Sequence, residues 1–178
     1  MKNQIFVGNF PDKIAIAPDG SYVCVINNRL DSVLFSKAVS VIDVHTNSVV
    51  MSIPVGKDFI EIAIAPDSRH IYVVDRDSSV VLVVDTQTYF VETIFVDKKL
   101  CGIVIAPDGK RIYVTNHSSG TVSVIDTQTH SVIKSIPVGE NPHGIAITPD
   151  GKYVYVTNHG SRGVSVIDTQ TLSIIEIK

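Results

Sequence analysis

Short apolar runs, each closed by a tight cluster of turn residues, follow one another along the whole chain. The cleanest stretch starts near Asn141. Ile145-Ala146-Ile147-Thr148 is one run, ended by Pro149-Asp150-Gly151, residues that suit successive positions of a tight turn. Lys152 to Thr157 forms the second run and Asn158-His159-Gly160-Ser161 the second turn. Val164 to Asp168 is the third, closed by Asp168-Thr169-Gln170-Thr171, and Leu172 opens a fourth. Runs this short, bounded by turn signals, predict an antiparallel meander and not helices.

The same pattern occurs four times. Pro18-Asp19-Gly20, Pro66-Asp67-Ser68, Pro107-Asp108-Gly109 and Pro149-Asp150-Gly151 recur at spacings of 48, 41 and 42 residues. Ile42-Asp43-Val44, Val84-Asp85-Thr86, Ile125-Asp126-Thr127 and Ile167-Asp168-Thr169 follow at spacings of 42, 41 and 42. A period in this range, built from strands, predicts an all-β propeller of four four-stranded antiparallel blades. The expected repeats are 9–56, 57–97, 98–139 and 140–178, with 1–8 matching the end of an outer strand. Val164, Val166 and Ile167 leave only Ser165 polar between them, so a blade with neighbours on both sides is expected. The first run of a repeat alternates large with small, as in Ile14-Ala15-Ile16-Ala17 and Ile62-Ala63-Ile64-Ala65, which suits crowded inner strands.

Composition narrows the function classes. The chain has 178 residues, of which 44% are hydrophobic and 19% charged, so it is globular. Its longest apolar runs, such as Val80 to Val84, fall far short of the roughly 20 residues of a membrane helix. A net charge of −3 without a basic stripe gives no basis for nucleic-acid binding. The first residues, Met1 to Gly8, lack the apolar core of a signal peptide. Taken as a native start they predict a cytoplasmic protein; taken as a cut end they leave export or a cell-surface location open. Cys24 and Cys101 sit at non-equivalent repeat positions and are expected to be free buried thiols.

Tyr113-Val114-Thr115-Asn116 and Tyr155-Val156-Thr157-Asn158 resemble the signature of the YVTN β-propeller repeat family, and Ile136-Pro137-Val138-Gly139 and Val122-Ser123-Val124-Ile125-Asp126 match its surrounding phrases. Copies one and two depart from it, with Cys24-Val25-Ile26-Asn27 and Tyr72-Val73-Val74-Asp75 at the signature positions. The resemblance implies a bacterial or archaeal propeller, in many cases exported or surface-associated. It extends weakly to lactonase-like, quinoprotein-like and haem-nitrite-reductase-like propellers.

The ends of the chain leave the closure of the ring open. Ile5-Phe6-Val7-Gly8 matches Ile136-Pro137-Val138-Gly139, and Leu172 to Lys178 matches His130 to Ile136. The repeats therefore close as a four-bladed ring, pair with a second chain into eight blades, or form an open arc of a larger propeller. An open arc would expose apolar blade faces that a homodimer would cover, and the expectation leans to the last two arrangements.

Propeller sites gather where loops meet around the axis, and two loop sets are expected there. Asp12, Ile60, Cys101 and His143 precede the first strands; Arg76, His117 and His159 follow the second. Asp12, Cys101 and His143 could form a metal set, but their spacing does not show one, and no metal or other cofactor is expected. Asn27, Asp75, Asn116 and Asn158 are expected to bond backbone N–H groups of their turns. Arg76, between Asp75 and Asp77, reads as a solvated cluster more than a site. Asp43, Asp85, Asp126 and Asp168 read as hairpin turns and not as a ring of catalytic carboxylates. An insertion in copy one, Arg29 to Lys37, is unusually apolar and reads either as packed under the rim or as a partner contact. No nucleophile elbow, phosphate loop or zinc pairing occurs.

The expected function is a non-catalytic binding or scaffold propeller presenting its loop rims, through Asp12, Arg76, His117, His143 and His159, to a protein or glycan partner. The alternatives are an enzyme or enzyme remnant of the lactonase-like or quinoprotein-like type, and a degenerate fragment of a larger surface propeller.

Overall fold

The computed structural model describes residues 4–28, 37–56 and 59–175. The apolar runs form strands at the expected places. Blade 1 contains β1 (Ile14–Ile16), β2 (Tyr22–Asn28), β3 (Lys37–Asp43) and β4 (Ser48–Gly56). Blade 2 contains β5 (Phe59–Ile64), β6 (His70–Asp75), β7 (Val80–Asp85) and β8 (Val91–Phe95). Blade 3 contains β9 (Leu100–Ile105), β10 (Arg111–Asn116), β11 (Thr121–Asp126) and β12 (Ser131–Pro137). Blade 4 contains β13 (Pro142–Ile147), β14 (Tyr153–Asn158), β15 (Gly163–Asp168) and β16 (Ser173–Ile174). Each blade is a separate sheet with its strands paired in chain order, all antiparallel. The chain is therefore an all-β propeller arc.

The core lies between blades, which explains the apolar character of both strand faces. One cluster joins Tyr72, Val74, Val81 and Ile94 of blade 2 to Leu100, Ile103, Ile112 and Ile125 of blade 3. The next joins Tyr113, Val122 and Ile136 of blade 3 to Val154, Val156 and Ile167 of blade 4. The large–small alternation of the inner strands has the same origin. Ile62 and Ile64 pack toward blade 1, whereas Ala63 packs toward blade 3. Burying aliphatic area in this way, at roughly 25 cal/mol per Å², is the main favourable term of the fold.

The turns obey their residues. At the Pro-Asp-Gly turns, Gly20, Gly109 and Gly151 hold φ near +70°, where a Cβ is disfavoured, and each donates its N–H three residues back. The Asp-Thr-Gln-Thr turns close on their aspartates. Asp126 Oδ1 accepts from the N–H of Gln128 and Thr129 at 2.9 and 2.8 Å, and Asp168 does the same for Gln170 and Thr171. These turns lie at the end of the arc opposite His117, His143 and His159. Both cysteines are free and buried. The segment 29–36 of the apolar insertion lies outside the described residues; Lys37 beyond it donates to the carbonyl of Phe59 at 2.6 Å.

Candidate binding site on the axial rim

The loops before each inner strand and the loops after each second strand share one end of the arc. The ladder requires it, since Pro142 pairs with Asn158 and Phe59 with Asp75. His143 therefore sits beside His159, and their rings stack with centroids 4.8 Å apart and planes 9° from parallel. Toward blade 3, Arg76, Lys99, Cys101, His117 and His143 line a cavity of about 290 Å³. Three blades contribute to it: Arg76 from the turn after β6, Lys99 and Cys101 from the start of blade 3, and His143 from β13.

The cavity is cationic. Burial is the first cause that holds His143 below its ordinary imidazole value, followed by the charges of His159, His117, Arg76 and Lys13. A neutral imidazole beside cations keeps a nitrogen lone pair available while its surroundings attract anions. Burial pushes the Cys101 thiol up, so it is a small apolar wall and not an activated nucleophile.

Thr115 sets the position of His143. Its Oγ1 accepts from the N–H of Gly102 at 2.8 Å and donates to the carbonyl of His143 at 2.9 Å, tying β10 and β9 to the inner strand of blade 4. Gly102 lets the strands approach. A Cβ there would meet the His143 carbonyl oxygen at 2.7 Å.

Of the residues expected at this rim, Arg76, His117 and His143 share the cavity and His159 adjoins it. Asp12 does not join them: it lies at the blade 1 end of the arc, where its N–H donates to Ile26 at 2.9 Å. Arg76, read from sequence as a solvated cluster, is exposed but faces this cavity. Lys99 was missed. It lies two residues before Cys101, as Asn141 lies two before His143, and both take a left-handed backbone. Lining up the loops places it at this end of the arc but does not place it in the cavity. Among the described residues no group of three or more His, Cys, Asp or Glu could hold a metal ion.

The rim asparagines behave differently from expectation. Asp75 does accept from the N–H of Asp77 and Ser78 at 2.9 and 2.8 Å. Asn27, Asn116 and Asn158 instead donate Nδ2 to the hydroxyls of Ser40, Ser123 and Ser165, at 2.7, 2.9 and 2.9 Å. The amide has donors that a carboxylate lacks, so it turns inward to the adjacent strand.

Two larger cavities lie elsewhere. One of about 640 Å³, around Pro107, Arg111, Tyr113 and Thr169, occupies the opposite end between blades 3 and 4. A smaller counterpart of about 250 Å³ recurs between blades 2 and 3, so both follow from blade packing. A groove of about 450 Å³ beside His117 and Gly139 is shallow and open.

Comparison with known proteins supplies a family. The model of the cytochrome D1 heme domain matches residues 27–138 and 73–178. The hydrazine synthase of Kuenenia stuttgartiensis superposes with a TM-score of 0.84 at 29% identity, over 98% of this chain and 50% of that one. A functionally unknown protein from Desulfotomaculum acetoxidans gives 0.78 at 18% identity, over 94% of this chain and 55% of that one, and shows the fold alone. The chain thus spans about half the length of these solved chains. No curated protein sequence matches it.

Proposed function

The chain belongs to the cytochrome D1 heme domain family, and from that premise we propose that it is a non-catalytic binding propeller whose axial rim holds a carboxylate of a protein or glycan partner. One observation carries this reading: Arg76, Lys99, His117 and His143 converge from three blades on a single cavity. Arg and Lys bind carboxylates by charge-assisted hydrogen bonds, and Arg76 adds a two-pronged planar fork. The repeats' resemblance to YVTN propellers fits the same role.

The family's description names a heme. A macrocycle with two broad apolar faces calls for a slot lined mainly by apolar and aromatic side chains. The cavity is about 290 Å³, and among its described lining residues Cys101 alone is apolar. It offers imidazole nitrogens and cations, but no such slot. The described residues of this cavity do not fit a heme.

A lactonase-like or quinoprotein-like reaction would call for a converging set that included Asp12 with His117 and His143. Asp12 stands apart, and no carboxylate is among the described lining residues, which supports binding over catalysis. The test is a titration of the histidine ring signals by NMR with glucuronate and with an N-acetylglutamate peptide. The binding reading expects saturable shifts at His117 and His143 that Arg76→Ala abolishes. Which probe binds tighter separates glycan from peptide. No shift with either, or turnover lost on His143→Ala, would reject it.

A further inference from the structure

Each blade presents one face forward and one backward, and the three interfaces inside the arc use the same pair of surfaces. The forward face centres on Tyr72 and Tyr113 in blades 2 and 3; the receiving face centres on the first isoleucine of the next inner strand, Ile62, Ile103 or Ile145. The two ends of the arc expose one of each. Tyr155 of blade 4 is 44% exposed where its counterpart Tyr113 is 0%, and Val164 is 53% exposed against 0% for Val122. Ile14 of blade 1 is 71% exposed, against 6% for Ile62. Blades 1 and 4 of one chain do not cover each other.

Polar groups repeat the pattern. Thr115 and Thr157 bond the equivalent glycines of their own blades, Gly102 and Gly144, but Thr115 also donates to the His143 carbonyl of the next blade. Tyr22 donates its hydroxyl to the carbonyl of Ser68 in the next blade at 3.1 Å. Tyr153, at the equivalent position, meets no following blade among the described residues.

We infer that a second copy of this chain covers both ends, blade 4 of each against blade 1 of the other, in a closed two-chain ring. The occupant is argued from the faces themselves. The forward face of blade 4 and the receiving face of blade 1 are the two halves of an interface that this sequence already forms three times, and no unrelated surface is shown to match either. Two copies of an arc that spans 50% of the hydrazine synthase chain also supply one full length of that relative. The repeat register pairs Tyr155 with Ile14, Thr157 with the carbonyl of Asp12, and Tyr153 with the carbonyl of Gly20. It also completes the rim. His159 holds the place of His117 and Asp12 the place of His143, so each seam adds a mixed imidazole–carboxylate pocket that neither copy has alone. The inference does not depend on the ligand reading above. Complementary unlike faces either close or polymerise, and only closure gives a fixed mass.

The test is light scattering coupled to size exclusion on the 178-residue chain. A mass of twice the 19.3 kDa chain is expected. Ile14→Glu and Tyr155→Glu alter side chains exposed in the single arc, so each is expected to keep its β-sheet circular dichroism and fall to the single-chain mass. Mixed in equal amounts they regain association, because Tyr155 of one variant meets Ile14 of the other across one intact seam. Should either glutamate variant lose its fold, Ile14→Ser and Tyr155→Ser serve in its place. A single-chain mass at every concentration, an open polymer series, or a mixture that fails to associate would each overturn the proposal.

Discussion

Thr115 Oγ1 donates to the main-chain carbonyl of His143 at 2.9 Å while accepting from the N–H of Gly102 at 2.8 Å. One hydroxyl of the repeat signature therefore fixes the backbone that carries the rim histidine. The threonine does not touch the cavity; it sets where the imidazole starts from. Thr115→Val keeps the side-chain shape but leaves two main-chain groups without this partner. An unsatisfied buried group costs about 1–3 kcal/mol, so the urea midpoint is expected to fall accordingly. Thr115→Ser, which keeps the hydroxyl, restores most of the loss.

Gly102→Ala tests the same junction from the other side. The added methyl meets the carbonyl oxygen of His143 at 2.7 Å and Ile145 Cγ2 at 2.9 Å, both across the blade boundary. The boundary must widen, at a cost of about 1–3 kcal/mol in thermal or urea unfolding. Gly20→Ala meets no atom within 4 Å, and its penalty comes from its φ of +74° alone.

His143 should titrate below its ordinary value when its ring protons are followed by NMR. Burial is the main cause and neighbouring positive charge the next, so Arg76→Ala is expected to raise the midpoint part of the way back. The folded value lies below the unfolded one of about 6.5. This histidine's contribution to stability is therefore complete above that pH and is lost as the pH falls through the folded value. Stability falling toward mildly acidic pH, less steeply in His143→Asn, is the expected outcome.

The turn aspartates respond in stronger acid. The Arg69 side chain, with the N–H groups of Gln87 and Thr88, holds the Asp85 carboxyl far below the usual range. Asp126 and Asp168 are lowered chiefly by the N–H of Thr129 and Thr171. Their stabilisation is present above the unfolded carboxylate value of about 3.9 and is lost as pH falls through the lowered folded values. Asp85→Asn should flatten that part of the pH–stability curve. The Arg69 side chain is 40% exposed and screened by water, so Arg69→Ala at neutral pH should lower the urea midpoint only slightly.

Strand content, blade order and turn positions were legible because they are local. Apolar runs of five or six residues admit little but strand, and Pro-Asp-Gly and Asp-Thr-Gln-Thr close on their own backbone. The doubled apolar face of Val164 to Ile167 in β15 announced neighbouring blades for the same reason. The rim was legible only in part. His117, His143 and Arg76 could be assigned to one end by counting strands, but counting does not say that Lys99 joins them or that Asp12 does not. Asn116 and Asp75 occupy one repeat position, yet the amide donates inward to the hydroxyl of Ser123 while the carboxylate accepts from its own turn, a difference set by the amide's N–H donors and the hydroxyl acceptor on the next strand.

The sequence by itself determined four β-propeller blades, because its period, turns and large–small alternation act within one repeat. The tertiary structure decided what lies between repeats: a cationic cavity shared by three blades, an Asp12 excluded from it, and an arc whose Tyr155 and Ile14 remain uncovered at opposite ends. Those outcomes depend on the angle and spacing at which successive blades pack, and summed contacts across the boundaries fix that geometry. No single repeat encodes it.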